Sequence, residues 1–355
     1  MTRRLLLLPL CAGALLAQTR ADLSPETLVK IDGVVASEMA RTGAPGVSVA
    51  ILIDGQVRYA NGYGLADLEN SVPASERTVY RLASISKPIT ALAVMQLVER
   101  GKIELDAPIQ RYVPAFPEKQ WPVTVRQLLG HLGGVRHYKG DEVLSTRHYL
   151  DLTRPLDIFK EDPLIAEPGA RWSYTTYGFN LLGAAVESAS GMKFVDYLRA
   201  NIFEPARMDR IRADDVFEII PHRAQGYRKR ADGRLENSAL ADTSNKIPGG
   251  GLCSTATDLA RLAAAVMDGK LVKPATFESM RTPQTTRAGK PTAYGLGWAL
   301  EEHHGFGYVM HGGGQPRVST MLAMVPDRKF AVAWMSNLEG SGMRIHRELA
   351  KLLLN

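Results

Sequence analysis

The sequence predicts a mixed α/β fold of the α+β type: an antiparallel sheet formed by both chain ends, flanked by helices, with a helical lobe inserted. Three observations predict it. Near the start, residues 46–60 read as a hairpin, in which Val47, Val49, Ile51 and Ile53 alternate, Asp54-Gly55 suits a type I′ turn, and Val57 and Tyr59 return. The last third has the same texture in four strand-like runs, 294–300, 307–310, 318–324 and 330–335, with Asp327-Arg328 turning the last pair. Between these ends lies a long helix-rich stretch. The order places an α/β lobe at about residues 24–80 and 250–355 and a helical lobe at about 84–249.

The first 21 residues read as a secretory signal peptide. Arg3 and Arg4 form a basic start, residues 5–17 form an apolar core too short to span a bilayer comfortably, and cleavage falls near Ala17 or Ala21. Export to a periplasm or the exterior follows, with a mature domain of residues 22–355 and no stable membrane association once the leader is gone. Cleavage after Ala21 leaves Cys253 as the one cysteine, so the core holds by packing without an intramolecular disulfide. The formal charge of +6 shrinks when Arg3, Arg4 and Arg20 leave, and no Lys/Arg run follows, so nucleic acid is not an expected partner. His137 and His148 share a loop without a carboxylate pattern, and His303-His304 are adjacent. Neither pair has metal-ligand spacing, so no metal and no other cofactor is expected. The oligomeric state has no signature in the sequence.

Expected helices are 85–100, closed by Gly101, then 125–131, 177–188, 194–202 and 257–266. The 85–100 segment is apolar almost all round, the mark of a helix enclosed by protein, and Pro88 falls in its tolerant first turn. Thr255-Ala256-Thr257-Asp258 has the form of a capping box with Asp in the last position. Residues 133–169 are long and poorly periodic, which favours a functional loop.

Ser84-Ile85-Ser86-Lys87 places a hydroxyl and an amine one helical turn apart at the mouth of that enclosed helix. Serine needs a base within hydrogen-bond reach, and lysine is one only where its surroundings favour the neutral amine. The helix N-terminus disfavours a cation at Lys87 and favours negative charge developing at Ser84. A second copy, Ser190-Gly191-Met192-Lys193, ends an apolar helical run with Gly191 as a C-cap, and reads as a helix terminus. A Ser-Lys site further needs a second proton-handling group, an oxyanion hole and a wall that orients substrate. Residues 168–183, which include Tyr174, and His311-Gly312-Gly313-Gly314 at a strand end could supply them. Other readings stay open: Tyr174 as a core tyrosine beside Trp172 and Tyr177, His311 as a strand-end histidine, and Gly249-Gly250-Gly251 as a tight loop or, without a P-loop lysine, a phosphate cradle.

With these motifs in order, the chain resembles the serine β-lactamase-related hydrolases: class C β-lactamases, D,D-peptidases and esterases that share the penicillin-binding fold. Ser84-x-x-Lys87 matches the first motif, Tyr174-x-Thr176 stands at Tyr-x-Asn, and His311-Gly312-Gly313 stands at Lys-Thr-Gly or His-x-Gly. The stretches 81–87, 112–119 and 134–138 look like the subgroup of the mitochondrial β-lactamase-like serine protease and its bacterial relatives. The resemblance implies that Ser84 is the acylating nucleophile and Lys87 its proton acceptor. Tyr174 is then a proton shuttle, as phenolate or aligned by Lys87, that protonates the leaving group. The N–H groups of Ser84 and Gly314 form the oxyanion hole, and Thr176, His311, Gly313 and Arg317 contact substrate. Thr176 replaces an amide that contacts the β-lactam side chain, and His311 replaces a lysine that helps fix a carboxylate, with Arg317 as a candidate replacement. Gly133 stands where relatives often have serine. These departures point away from antibiotics and towards an exported esterase or D-amino-acid-type peptidase acting on a small-molecule or peptide substrate. A true class C-like β-lactamase and a non-catalytic penicillin- or peptide-binding sensor are the alternatives.

Overall fold

Strand pairing explains how two distant parts of the chain make one sheet. The protein is seen here in a computed structural model that describes residues 23–355, so the expected signal peptide lies outside the described residues. β1 (Gly46–Ile53) and β2 (Gln56–Asp67) form the expected hairpin, with Asp54 at φ 51° and Gly55 at φ 75° as a type I′ turn requires. β3 (Val72–Pro73) extends it, and β4 (Tyr80–Arg81), β5 (Arg212–Ala213), β6 (Tyr227–Lys229), β7 (Leu235–Asn237) and β8 (Leu252–Ser254) are short accessory strands. The chain returns through β9 (Ala299–His303), β10 (Phe306–Gln315), β11 (Val318–Val325) and β12 (Phe330–Ser336). The main sheet has seven strands in the order β3-β2-β1-β12-β11-β10-β9, with antiparallel neighbours throughout. β12 pairs with β1 from Val47 opposite Ser336 to Leu52 opposite Ala331.

Helices cover both faces of this sheet. They are α1 (Pro25–Thr42), α2 (Ser86–Glu99), α3 (Val125–Leu129), α4 (Tyr177–Ser190), α5 (Phe194–Leu198), α6 (Ile247–Gly250), α7 (Ala256–Met267), α8 (Pro274–Met280) and α9 (Ile345–Leu354). On one face Val47, Val49 and Ile51 join Val332 and Trp334 against Ile31 and Val35 of α1 and Leu349 of α9. On the other, Ala50, Leu52, Ala331 and Met335 belong to a larger core with α2, α4 and α7. A sheet covered on both sides needs apolar residues at every position, which is why β1 and β12 are almost uninterruptedly apolar. The enclosed helix is as expected: α2 is buried from Ser86 to Leu97.

Several local expectations are revised. The run at 294–300 becomes a strand only from Ala299. Gly297 takes φ 85°, and a Cβ on Gly295 would lie 2.0 Å from the Met280 carbonyl oxygen, so this segment is bent against the end of α8. α3 stops at Leu129, before His131 at φ 58°, and residues 199–203 form a π-helical turn after α5. Thr255 caps α7 by accepting from the Asp258 N–H, but Asp258 does not complete a box. Its carboxylate instead accepts from the Ser254 hydroxyl at 2.8 Å and from the N–H groups of Asp209 and Arg210 at 3.2 and 2.9 Å. The loop at 133–169 is pinned by buried Arg136, which reaches Glu142, Asp162 and the carbonyl of Ile158. No helix among the described residues is long and apolar enough to cross a membrane.

Candidate active site

Ser84 sits in a 3-10 turn, Ala83–Ile85, just before α2. From Thr78 to Leu97 every residue is buried except Ser84. The turn is strained, because Ala83 occupies the left-handed region at φ 49°, which costs a non-glycine residue about 1–3 kcal/mol. Tertiary bonds hold it there. The Leu82 carbonyl accepts from the Ile85 N–H and from Thr320 Oγ1 of β11, while the Leu82 N–H donates to Leu252 of β8. The serine is therefore presented by a turn clamped from two strands.

Lys87 is fully buried one turn into α2. Its Nζ lies 3.1 Å from Ser84 Oγ, 3.1 Å from Thr176 Oγ1 and 2.7 Å from the Gly249 carbonyl oxygen. Burial first, and then the nearby Lys246 cation, hold its pKa well below the usual lysine value. Both causes favour the neutral amine. Its two N–H groups match the Gly249 carbonyl and the Thr176 hydroxyl, and its lone pair is left for the Ser84 hydroxyl.

Tyr174 closes the site from the loop before α4. Its hydroxyl lies beside Ser84, and its ring centre lies 4.7 Å from Lys87 Nζ. Burial raises its pKa, so Tyr174 is the phenol rather than the phenolate allowed for by the sequence. A phenol is the form that can give a proton to a leaving group. The ring packs against His131, which is buried among Tyr174, Phe179 and Tyr294 and accepts the Thr175 N–H at Nδ1.

His311 ends the regular pairing of β10 with β9, whose last pair is Met310 with Ala299. Beyond it, residues 311–315 pair with β11 on one edge and have no strand on the other. That open edge faces the Ser84 turn. Gly313 is obligatory there, because a Cβ would lie 2.4 Å from the Leu82 carbonyl oxygen and 2.2 Å from Thr320 Oγ1. Gly314 is exposed, and a Cβ on it would meet nothing within 4 Å. His311 Nε2 is 2.9 Å from the Tyr294 hydroxyl and Nδ1 is 2.7 Å from the Gly312 carbonyl oxygen. Burial, reinforced by Lys87, lowers its pKa to about 3, so it is a neutral ring and not a substitute cation.

The structure thus brings Ser84, Lys87, Tyr174, Thr176 and the 311–314 edge together, but sends Arg317 elsewhere. Arg317 donates to Gln225 at 2.7 Å, and its backbone N–H donates to Glu339. It lines a small hollow with Arg81, Asp214 and Arg223. Thr176 is buried and engaged by Lys87, so its hydroxyl serves the base rather than standing free for substrate. Ser190, of the second Ser-x-x-Lys copy, bonds back to the Val186 carbonyl at the end of α4, as a helix terminus should. Gly249 and Gly250 are not the expected tight loop but the last residues of the short helix α6, with Gly251 as its C-cap, and a Cβ on Gly249 would lie 2.5 Å from Thr176 Cγ2. Sequence reasoning missed the Gly249 carbonyl, His131, Tyr294 and Lys246. None of the four falls at a motif spacing, and a carbonyl has no letter of its own.

Comparison with known proteins shows the family and the fold. The family described as Beta-lactamase matches residues 31–355. The human mitochondrial serine beta-lactamase-like protein LACTB is 30% identical over 380 residues, covering 80% of this chain and 69% of the relative. The octameric penicillin-binding protein homologue from Pyrococcus abyssi superposes with a TM-score of 0.78 at 27% identity, over 92% of this chain and 77% of that one. D-amino acid amidase from Ochrobactrum anthropi shares the fold, with a TM-score of 0.78 at 23% identity over 92% and 96% of the two chains.

Proposed function

Since the chain belongs to the beta-lactamase family, we propose that it is an exported serine hydrolase working through a Ser84 acyl-enzyme on an ester, peptide or amide. The observation that carries this reading is the buried Lys87 amine, its pKa held well below the ordinary lysine value, 3.1 Å from the one partly exposed residue of its segment. Ser84 Oγ attacks the substrate carbonyl carbon as its proton passes to Lys87 Nζ. The oxyanion is held by the Ser84 and Gly314 N–H groups, an interaction that contributes several kcal/mol when preorganised. Collapse breaks the bond to the leaving group, which takes a proton from the Tyr174 hydroxyl, and the Lys87 ammonium restores that proton. Water then attacks the acyl carbon, giving up a proton to Lys87; collapse breaks the bond to Ser84 Oγ, which takes that proton back from Lys87, leaving the free acid and Ser84.

The neutral His311 and the displaced Arg317 weigh against efficient β-lactam hydrolysis, since neither offers a cation at the strand edge. Ester and amide substrates, including D-amino-acid derivatives, place fewer demands on that position. The test is a fluorophosphonate probe with a panel of esters, D-amino-acid amides and a chromogenic cephalosporin. Wild type is expected to be labelled once per chain and to turn over esters or amides faster than the cephalosporin. Ser84→Ala abolishes labelling and turnover. Labelling that persists in Ser84→Ala would remove the nucleophile assignment, and burst kinetics without turnover would favour a sensor.

A further inference from the structure

Lys246 has a chemistry that the Ser-Lys mechanism does not use. It is 1% exposed, just before α6, and its Nζ donates to one carbonyl, that of Val143, at 3.2 Å. Its other neighbour is the Tyr138 ring, whose centre lies 5.1 Å from Nζ, so two of the ammonium's three N–H groups have no oxygen partner. Among the described residues no carboxylate lies within ion-pair distance of it. The two acids in its surroundings are already engaged. Asp242 is held by His148 at 2.8 Å and by the Ser244 N–H at 2.8 Å, and Asp214 is held by Arg81 at 2.7 Å and Arg223 at 3.3 Å. A buried amine left in this state favours an anion from outside the chain.

A second unsatisfied group stands beside it. Gln315 ends β10, and its Nε2 is buried with no hydrogen-bond partner. Both side chains lie beside Gly250, which is itself buried. A Cβ there would lie 3.5 Å from Gln315 Oε1, 3.8 Å from Lys246 Cδ and 3.9 Å from the carbonyl carbon of Ala83, the residue before the nucleophile. Glycine at position 250 leaves that space unfilled. The site therefore has two ends along β10. One, at His311, is walled by aromatic rings, and the other, four residues on at Gln315, sets a side-chain amide with an unpartnered Nε2 beside the Lys246 stem.

We propose that Lys246 and Gln315 form an anion subsite, and that the preferred substrates carry a carboxylate a few bonds from the scissile carbonyl on the acyl side. Burial and Arg81 lower the Lys246 pKa to about 8, which still leaves the ammonium dominant at neutral pH. Carboxylate binding there partly neutralises a cation that helps keep Lys87 neutral, but burial is the larger cause at Lys87 and persists.

The inference rests on Ser84 acylation for its kinetic readout, so two measurements separate the two. In the first, 4-nitrophenyl hemiglutarate is compared with 4-nitrophenyl butyrate. Wild type should favour the carboxylate ester at least tenfold in kcat/KM. Lys246→Met, which keeps most of the buried stem and drops the charge, should bring that ratio close to one, and Gln315→Leu should lower it part of the way. No preference in wild type, or a parallel loss on both esters in Lys246→Met, overturns the subsite and leaves Lys246 as a staple of the loop. In the second, glutarate binding is measured calorimetrically on Ser84→Ala and on Ser84→Ala/Lys246→Met. Binding that requires Lys246 supports the subsite even if no ester is hydrolysed. Absent or Lys246-independent binding overturns it whatever the esters show.

Discussion

At the scale of a residue, Lys87 decides what Ser84 can do. Its amine has three partners in three directions, and only the neutral form leaves a lone pair for the serine. Lys87→Met is expected to lower kcat/KM by about 10²–10⁴-fold while far-UV circular dichroism and the melting curve stay native-like. Because the base must be unprotonated, wild-type kcat/KM should rise with pH through a pKa well below that of ordinary lysine and then level off. The raised Tyr174 pKa delays any alkaline fall. An acid limb near the ordinary lysine value, or normal turnover in Lys87→Met, would show that another base operates. Ser84 and Lys87 were legible because a helix turn converts their spacing directly into contact. Lys246 was not, because its relation to Ser84 arises only when α6 is folded against the Ala83 turn.

At the scale of an element, β10 shows where sequence patterning stops. Its apolar run, read as 307–310, is the part that pairs with β9, and within it only Val309 and Met310 also pair with β11. Residues 311–315 carry three glycines and no strand propensity, yet β11 zips them into the sheet from Gly312 opposite Met321 to Gln315 opposite Val318. Tertiary pairing overrides composition there. The same blindness made 294–300 look like a strand, since its apolar letters do not reveal that Gly295 and Gly297 are squeezed between α8 and α2. Gly313→Ala should destabilise the fold by about 1–3 kcal/mol, because the methyl meets the Leu82 carbonyl and Thr320. Gly314→Ala, one residue away and open, should change stability by no more than about 0.5 kcal/mol. Urea denaturation of the pair checks this, and equal midpoints would refute the packing assignment.

Across the whole molecule, three buried imidazoles and a half-buried one make the fold acid-sensitive. Burial, the largest cause in each case, holds His131 well below 6.5, His137 and His346 at about 4, and His311 at about 3. Three of them accept hydrogen bonds at a ring nitrogen: His131 and His137 from the Thr175 and Thr176 N–H groups, and His346 from Trp334 Nε1–H. The unfolded chain takes up these protons near pH 6.5, and the folded chain only near pH 4 or below. The unfolded state therefore binds more protons between those values, and stability falls as pH drops through that window while remaining full above it. Thermal melts from pH 7.5 to 4 should show this decline. His346→Gln, remote from Ser84, should flatten it, and a level profile would contradict the assignment. The overall architecture was legible from the matching strand texture at the two ends. The loop at 133–169 was not, because Arg136, Glu142 and Asp162 fix it by ionic contacts that leave no periodic trace.

The position of β12 has a temporal consequence. It is the last strand in the chain, yet it lies fourth of seven in the sheet, between β1 and β11. During synthesis the apolar edge of β1 waits unpaired for a neighbour that emerges only at the end, and such an edge needs protection from self-association. The Ser84 turn waits too, since the Thr320–Leu82 bond that clamps it spans 238 residues. A ribosome that stops before β11 therefore releases a chain with its serine but without the clamp that presents it. If Ser84 is the nucleophile proposed above, a chain cut before β11 is expected to escape fluorophosphonate labelling.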